Sequence, residues 1–439
     1  MPELFDHYLV QAFQKDKKFL ETTKIPTITV SAAYKEDVKR IHGLPDDDTL
    51  PDVVFSRAHY SMAVGIAAHV WGEKINPAKM WIVDPTNYVS HNQWSAIELT
   101  QSIGKLLARQ PILKTLKDIV DKFGRQKLPI LSSITPPLLH LTENIKYPIL
   151  SLHIAAGNIL MGQGKRVIQV ITDPHVRDEY VFYADKKNST YCVFDEQTKT
   201  EFLEKAALLG KQVDSDRVIV TGPPVDPRII ACRKKKLPWR SGCLNLCITT
   251  GGLGTNSQEI VTIVEQLVSE LKSKQCTFKL LVYAGTHKDI YTKVVQVAKK
   301  NNIPVGKNND TNAKLRILYH PQIVDANEYL IQYAFPWAHG FITKPSGDMA
   351  YDAAASGSFV LTLAEWGEWE ERIREIFEQL EISRVAITEN IATQLEVLTS
   401  AQGKSQSWVE KAMQSAQNID KLFLTGAKNI VAVVLESQK

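Results

Sequence analysis

The sequence has few of the features that mark secreted or membrane-spanning chains. Only five of its 439 residues are cysteine, an odd and scattered set that argues against a disulfide framework and for a reducing compartment. No run of about 18 apolar residues occurs, so no transmembrane helix is predicted. The first residues, MPELFDH, lack the basic and apolar regions of a signal peptide. We therefore predict a cytoplasmic protein.

Charge of one sign is not in excess. Lys and Arg number 52 against 48 Asp and Glu, which leaves a net charge of +4. This bias is too small to indicate a nucleic-acid partner, and none is predicted. A metal site is not predicted either, because Cys243 and Cys247 lie in or beside a predicted strand without the ligand pattern of zinc sites.

The chain has enough apolar residues, 44%, for two ordinary cores, and its length suggests two or three domains at roughly 100–200 residues each. Short runs rich in Val and Ile alternate with helix-length segments, which predicts parallel sheets covered on both faces. The first series of predicted strands comprises residues 27–30, 53–56, 80–84, 130–134, 166–173, 191–194 and 218–221. The second comprises residues 244–249, 278–284, 315–319, 340–343, 359–363 and 384–387.

A break separates the two series. Residues 222–227 (GPPVDP) form a turn cluster, and residues 233–240 (RKKKLPWR) read as a polar, basic linker. We place the boundary near residue 236, with domains at 1–236 and 237–439, and the last helical segment could cross back to the first domain. The predicted fold is α/β, two doubly wound Rossmann-like domains facing across a cleft. Ligands of such sheets bind beyond the carboxyl ends of the strands.

The most informative of these strand ends is the segment 343–357 (TKPSGDMAYDAAASG). It lies between two apolar runs and is typical of a strand, a glycine turn, a short helix and a second strand. The backbone N–H groups of Ser346, Gly347, Asp348 and Met349 would open the helix and attract an anion. Asp352 on its first turns could hold ribose hydroxyls. The segment therefore predicts a site for a nucleotide-sugar diphosphate.

A second glycine-rich turn follows the predicted strand 244–249. In residues 249–257 (TTGGLGTNS), Gly251, Gly252 and Gly254 would let the backbone approach a phosphate beside Thr255. Taken alone, the turn could equally be a tight strand–helix connection. Together with the first turn in the same sheet it favours phosphate binding.

Two further strand ends carry weaker signals. In residues 320–330 (HPQIVDANEYL) the backbone near Ile323 could bind a nucleobase edge. Taken by itself, this segment is better interpreted as a plain loop that enters a helix capped by Asp325. In residues 364–372 (AEWGEWEER), Glu368 and Glu370 could accept hydrogen bonds from sugar hydroxyls. They could equally be the acidic start of a solvated helix.

The first domain offers candidate acids and bases. His59 follows the predicted strand 53–56, where it could take a proton from an acceptor hydroxyl. His153 and Asp173, the latter followed by His175, lie at or just past apolar runs and could line the same cleft. The alternative for each is a polar residue without a catalytic role.

Residues 103–127 contain seven basic and two acidic side chains, with apolar residues at helical spacing. Such a helix could lie on an anionic membrane surface, and the basic segment 233–240 with Trp239 could serve the same surface. A helix that covers the sheet with a solvated face is an equally good reading.

In this order of features the chain resembles a known family, from about residue 147 to residue 375. It is similar to GT-B glycosyltransferases of the group that contains plant monogalactosyldiacylglycerol synthase, bacterial diacylglycerol glucosyltransferases and the lipid II N-acetylglucosaminyltransferase. The resemblance is strongest at residues 147–153, 170–173, 191–196, 218–225, 249–254 and 341–357. It implies a UDP-sugar donor bound by the C-terminal domain and an acceptor, often a membrane lipid, bound by the N-terminal domain. It also implies an inverting transfer that needs neither a metal nor a cofactor.

The resemblance also implies roles for individual residues. Lys344 and residues 346–349 would lie at the diphosphate and Asp352 at the ribose, and His59 would match the family's histidine. Two departures stand out: the first loop is Ser-Arg-Ala-His rather than glycine-rich, and the second turn carries the extra negative charge of Asp348. A nucleotide-sugar 2-epimerase of the same fold and a non-catalytic GT-B protein remain as alternatives.

Overall fold

The computed structural model describes residues 7–90, 93–94, 129–273, 276–401 and 405–439. The chain forms two compact units. One consists of Met1–Pro227 with Leu422–Lys439, and the other of Arg228–Lys421. The basic segment 103–127, which could be a surface helix on a membrane or a solvated helix covering the sheet, lies outside the described residues.

The first unit is built on a six-stranded sheet in the order β4-β1-β5-β6-β7-β8, in which all paired strands are parallel. These strands are β1 (Ile25–Ile28), β4 (Met80–Val83), β5 (Ile149–Ser151), β6 (Val167–Val170), β7 (Ser189–Val193) and β8 (Val218–Val220). A separate antiparallel pair is formed by β2 (Ala32–Ala33) and β3 (Val53–Val54). The helices are α1 (His7–Thr22), α2 (Lys35–Ile41), α3 (Arg57–Trp71), α4 (Pro129–Thr142), α5 (Ile154–Gly162) and α6 (Glu196–Leu208).

The second unit has a seven-stranded parallel sheet in the order β11-β12-β10-β9-β13-β14-β15. Its strands are β9 (Leu244–Thr249), β10 (Phe278–Gly285), β11 (Val305–Gly306), β12 (Leu315–Tyr319), β13 (Gly340–Thr343), β14 (Phe359–Thr362) and β15 (Ser383–Val385). Its helices are α7 (Pro227–Arg233), α8 (Ser257–Glu270), α9 (Lys288–Lys300), α10 (Ile323–Tyr329), α11 (Met349–Ala355), α12 (Glu368–Gln379), α13 (Ile391–Thr399) and α14 (Trp408–Gln417). Every residue of β13 and β14 is buried, as expected for strands with helices on both faces.

The last helix, α15 (Leu422–Glu436), packs against α3 in the first unit. Its close approach depends on Gly426, because a Cβ there would lie 2.1 Å from the carbonyl oxygen of Pro223. One turn later, Asn429 Nδ2 donates to the carbonyl of Thr221 over 2.9 Å. These contacts attach the C-terminal helix to the loop that follows β8.

The structure corrects three sequence-based expectations. Residues 130–134 were predicted as a strand but lie in α4, because a short apolar run does not distinguish a strand from a buried helix. The predicted strand 53–56 is only the two-residue β3, outside the parallel sheet. The strand Ile149–Ser151 was absent from the predicted set.

Two smaller expectations are also wrong. The segment 233–240 is not a solvated basic linker throughout, since Lys236 is buried and Arg233 donates to the carbonyl of Ala416 over 2.6 Å. Gln322, not Asp325, is the N-cap residue of α10. No helix in the described part of the chain has the length and apolar character needed to cross a membrane.

Candidate active site

Five neighbouring strands of the second unit end in polar segments at one edge of the sheet. In spatial order they are β12, β10, β9, β13 and β14. Because the strands are parallel, their carboxyl ends meet at this edge. The segments are residues 320–323, His287, residues 250–256, residues 344–349 and residues 364–370.

The glycine loop between β9 and α8 is held by its own backbone and by neighbouring strands. Gly254 has a φ of +66° and donates from its N–H to the carbonyl of Gly251 over 2.9 Å. His287 Nε2, at the end of β10, donates to the same carbonyl over 3.0 Å. A Cβ at Gly251 would lie 2.8 Å from Thr255 Oγ1 and 3.3 Å from Lys344 Cε, so the absence of a side chain here lets Lys344 lie across the loop.

Lys344 follows β13 and contacts a carboxylate carried by the segment after β14. Its Nζ donates to Glu370 Oε1, and Glu370 Oε2 accepts from the backbone N–H of Trp366 over 2.8 Å. Glu370 is 1% exposed, whereas Glu368, at the start of the same helix, is exposed. Both oxygens of Glu370 are therefore engaged within the protein.

The turn that follows Lys344 has its own hydrogen bonds. Ser346 Oγ donates to Asp348 Oδ1 over 2.5 Å and accepts from the N–H of Met349 over 3.3 Å. Asp348 is the N-cap residue of the seven-residue helix α11, and Asp352 lies in its first turn. Both carboxylates are buried. The turn thus combines a helix start with two buried carboxylates.

Gln322 is a candidate site residue that the sequence analysis did not identify. It is 1% exposed, and neither Nε2 nor Oε1 has a hydrogen-bond partner among the described residues. Ile323, the predicted nucleobase contact, is the next residue and begins α10. Thr255 Oγ1 in the glycine loop likewise has no partner within the described ranges. The available signal was that Gln322 comes soon after a strand, at the carboxyl-end edge where parallel α/β sheets generally bind ligands.

In the first unit the structure brings His59 and His153 together. Their ring centroids lie 5.0 Å apart in an edge-to-face arrangement. His59 occupies the first turn of α3, and its Nε2 lies 3.3 Å from Thr172 Oγ1, just beyond β6. His153 Nδ1 accepts from the N–H of Ala155 over 3.2 Å, so a neutral His153 carries its proton on Nε2.

Asp173 and His175 make different contacts. Asp173 forms an ion pair with Arg177 at 3.6 Å, and His175 Nδ1 lies 3.2 Å from Glu201 Oε1. The neighbour that sequence reasoning missed is Thr172, whose Oγ1 is also 3.4 Å from the hydroxyl of Tyr180. Burial raises the pKa of Tyr180, which keeps that hydroxyl protonated.

A buried carboxylate organises the loop after β1. Asp84 Oδ2 accepts from the N–H and hydroxyl of Ser31, over 2.6 and 2.8 Å, and from the N–H of Ala32 over 3.1 Å. Its Oδ1 accepts from Thr86. Burial raises the pKa of Asp84, and these hydrogen bonds oppose the shift. This network holds a loop that lacks glycines.

Within the described part of the chain, no group of three or more His, Cys, Asp or Glu side chains is arranged to hold a metal ion.

No protein-family model matches the chain, and no curated protein matches it in sequence. The structure is similar to UDP-GlcNAc 2-epimerase from Neisseria meningitidis bound to UDP-GlcNAc, with a TM-score of 0.52 and 14% identity, over 94% of this chain and 98% of that one. It is also similar to Medicago truncatula UGT71G1 complexed with UDP-glucose (TM-score 0.48, 10% identity, 95% and 99% covered). A third is glycosyltransferase VinC in complex with dTDP (TM-score 0.45, 14% identity, 93% and 99% covered).

The similarity to the Neisseria epimerase and the two parallel sheets confirm the predicted fold class, which is GT-B with two Rossmann-like units. Proteins of similar structure include both glycosyltransferases and UDP-GlcNAc 2-epimerases. The narrower resemblance to the glycolipid and lipid II group stays a prediction.

Proposed function

We propose that this protein is a glycosyltransferase that moves a sugar from a UDP-sugar to an acceptor hydroxyl with inversion at the anomeric carbon. The observation that carries the proposal is the edge of the second sheet, where a buried amide without partners among the described residues and a glycine loop crossed by a lysine occur together. Gln322 and the glycine loop follow strands two positions apart, a spacing of about 10 Å at the usual strand separation. A nucleoside diphosphate can span that distance.

Gln322 suits the base of such a nucleotide. Its Nε2 is a donor and its Oε1 an acceptor, and burial makes it costly to leave either atom unpaired. The O4 and N3–H of uracil offer the matching acceptor and donor side by side. The backbone at Ile323 adds a further contact to the same edge in this proposal.

The diphosphate would lie on the glycine loop and at Lys344. The loop leads into the fourteen-residue helix α8, whose first N–H groups favour an anion. Asp352 would hold the ribose and Glu368 a sugar hydroxyl. The remaining proposed contacts are Gly251, Gly252, Gly254, Thr255, Ser346, Gly347 and Met349.

The transfer step uses His59 as the base. The acceptor hydroxyl gives its proton to His59, its oxygen forms the bond to the anomeric carbon, and the bond to the diphosphate breaks so that UDP leaves with the electron pair. Lys344 and backbone N–H groups stabilise the charge that develops on the diphosphate. His153 presents Nε2–H and so serves as a donor rather than a base, and Asp173 is the weaker alternative base because it pairs with Arg177.

A membrane lipid acceptor is part of the proposal. Of the segment predicted to contact the membrane, Lys234, Lys235 and Leu237 are exposed, whereas Trp239 packs against the apolar core. Sedimentation with anionic and with neutral vesicles tests this part: binding to neither would remove the membrane from the proposal and leave the transferase intact.

The central test is calorimetric titration with UDP, ADP and GDP. We expect selective UDP binding that weakens by about tenfold or more in Gln322→Ala, since a buried amide loses both partners. Gln296→Ala, on the exposed face of α9, is the matched control and should bind normally. If no nucleotide binds, the transferase proposal fails, and the hypothesis that remains is a GT-B protein without catalytic activity.

Turnover then separates the two enzyme classes. Incubation with UDP-sugars and lipid or other hydroxyl acceptors should release UDP only when the acceptor is present. An epimerase would instead convert UDP-GlcNAc to its 2-epimer without an acceptor and without releasing UDP. His59→Ala should abolish transfer but leave UDP binding unchanged.

A further inference from the structure

The carboxylate of Glu370 lies between two donors of the protein itself. Its carboxylate is buried and is shared between Lys344 Nζ and the backbone N–H of Trp366. The two side chains are 26 residues apart and meet because β13 and β14, which precede them, are paired in parallel. Each oxygen of this carboxylate already accepts a hydrogen bond from the protein, and at 1% exposure the side chain has little surface left for a sugar hydroxyl.

Both the stem and the ammonium group of the Lys344 side chain have neighbours within the protein. A Cβ placed at Gly251 would lie 3.3 Å from its Cε and 3.5 Å from its Cδ, so the stem passes beside Gly251 on the side where a side chain would otherwise stand. The ammonium at the tip is then held by Glu370. A lysine side chain has four rotatable bonds and three N–H donors, so fixing one donor orders the chain and leaves others for a ligand.

We infer that Glu370 is a positioning residue that holds the Lys344 ammonium over the glycine loop for the diphosphate of the donor. The inference rests on the proposed function and deepens it. Without Glu370 the ammonium would be ordered only when ligand binds, and the ligand would bear that entropic cost. The opposing effect is that a nearby carboxylate reduces the positive charge available to the phosphates.

Three roles of Glu370 predict different results for Glu370→Gln, which keeps the shape and the acceptor for Trp366. A positioning role predicts that UDP binds about tenfold more weakly while uridine binds as before, because one ordered lysine side chain is lost. A purely neutralising role predicts tighter UDP binding. A sugar contact predicts weaker binding of UDP-sugars with UDP unchanged.

The decisive experiment is a double-mutant cycle of Glu370→Gln and Lys344→Met, titrated with UDP, UDP-GlcNAc and uridine. If Glu370 acts through Lys344, Glu370→Gln has no further effect in the Lys344→Met background. Additive losses, tighter UDP binding or a loss confined to UDP-sugars would each overturn the inference. Glu371→Gln, an exposed neighbour on the same helix, is the control and should leave UDP binding unchanged.

A second measurement does not depend on nucleotide binding. Limited acetylation followed by peptide mass spectrometry should modify Lys344 several-fold faster in Glu370→Gln than in the parent chain, with exposed Lys288 unchanged in both. An unchanged rate at Lys344 would contradict the positioning role. If the parent chain binds no UDP but the labelling rate rises, the proposed function fails while the positioning of Lys344 by Glu370 stands.

Discussion

Lys236 provides a direct test of how burial and hydrogen bonding compete in this fold. The side chain is buried in the second unit, and its Nζ donates to the carbonyl of Phe335 over 2.7 Å and to the hydroxyls of Ser356 and Ser358 over 3.2 and 2.8 Å. Burial lowers the pKa of Lys236 from 10.5 to about 7. No carboxylate is among these three acceptors.

The shift has a defined effect on stability. Between pH 7 and 10.5 the unfolded chain binds more protons at this lysine than the folded chain, so the free energy of unfolding rises with pH in that window. Each pH unit contributes at most about 1.4 kcal/mol, and from pH 7 to pH 9 the contribution is about 2 kcal/mol because titration is incomplete near pH 7. Below pH 7 both states are protonated and the contribution is constant.

Urea unfolding of the parent chain and of Lys236→Met at pH 7, 8 and 9 measures this effect. We expect the parent chain to gain about 2 kcal/mol more than the variant across the range, since the variant cannot titrate. Lys235→Met, an exposed neighbour, should keep the pH dependence of the parent chain. An identical pH dependence in Lys236→Met would refute the reasoning and show that the three oxygen acceptors keep the ammonium charged.

Three further predictions follow from the contacts. Asp348→Asn removes a carboxylate beside the proposed diphosphate site and should tighten UDP binding by about tenfold in calorimetry. The control Asp310→Asn, in the loop before β12, should leave UDP binding unchanged. Weaker UDP binding in Asp348→Asn would contradict the charge argument. Gly426→Ala places a methyl group 2.1 Å from the carbonyl oxygen of Pro223 and should lower the free energy of unfolding in urea by about 2–3 kcal/mol. The exposed control Lys428→Ala should change it little. If Gly426→Ala is as stable as the parent chain, α15 can shift freely. The buried carboxylate of Asp16 accepts hydrogen bonds from His42, Trp81 and Tyr88 over 2.6–2.8 Å. Asp16→Ala removes this acceptor and should lower the free energy of unfolding by about 3–5 kcal/mol in the same assay. A decrease under about 1 kcal/mol would show that these donors find other partners.

The alternation of strands and helices could be predicted from the sequence because it is a local property. Buried parallel strands show continuous Val- and Ile-rich runs, and the glycine turns after β9 and β13 directly follow such runs in the sequence. The prediction failed where local sequence is ambiguous. Residues 130–134 have the composition of a strand, yet they lie in α4, whose internal Pro136 and Pro137 resemble a stop signal.

Some features of the candidate site could likewise be predicted from the sequence, and others could not. The segments that end strands and the glycines that open loops could be predicted from the amino-acid order alone, since both depend on neighbouring residues. Three contacts became evident only from the three-dimensional fold: Glu370 binds Lys344, His59 lies against His153 and Thr172, and Lys236 is buried within a basic segment. Those contacts join residues far apart in the chain, and the order of strands in each sheet, which no local pattern encodes, brings them together.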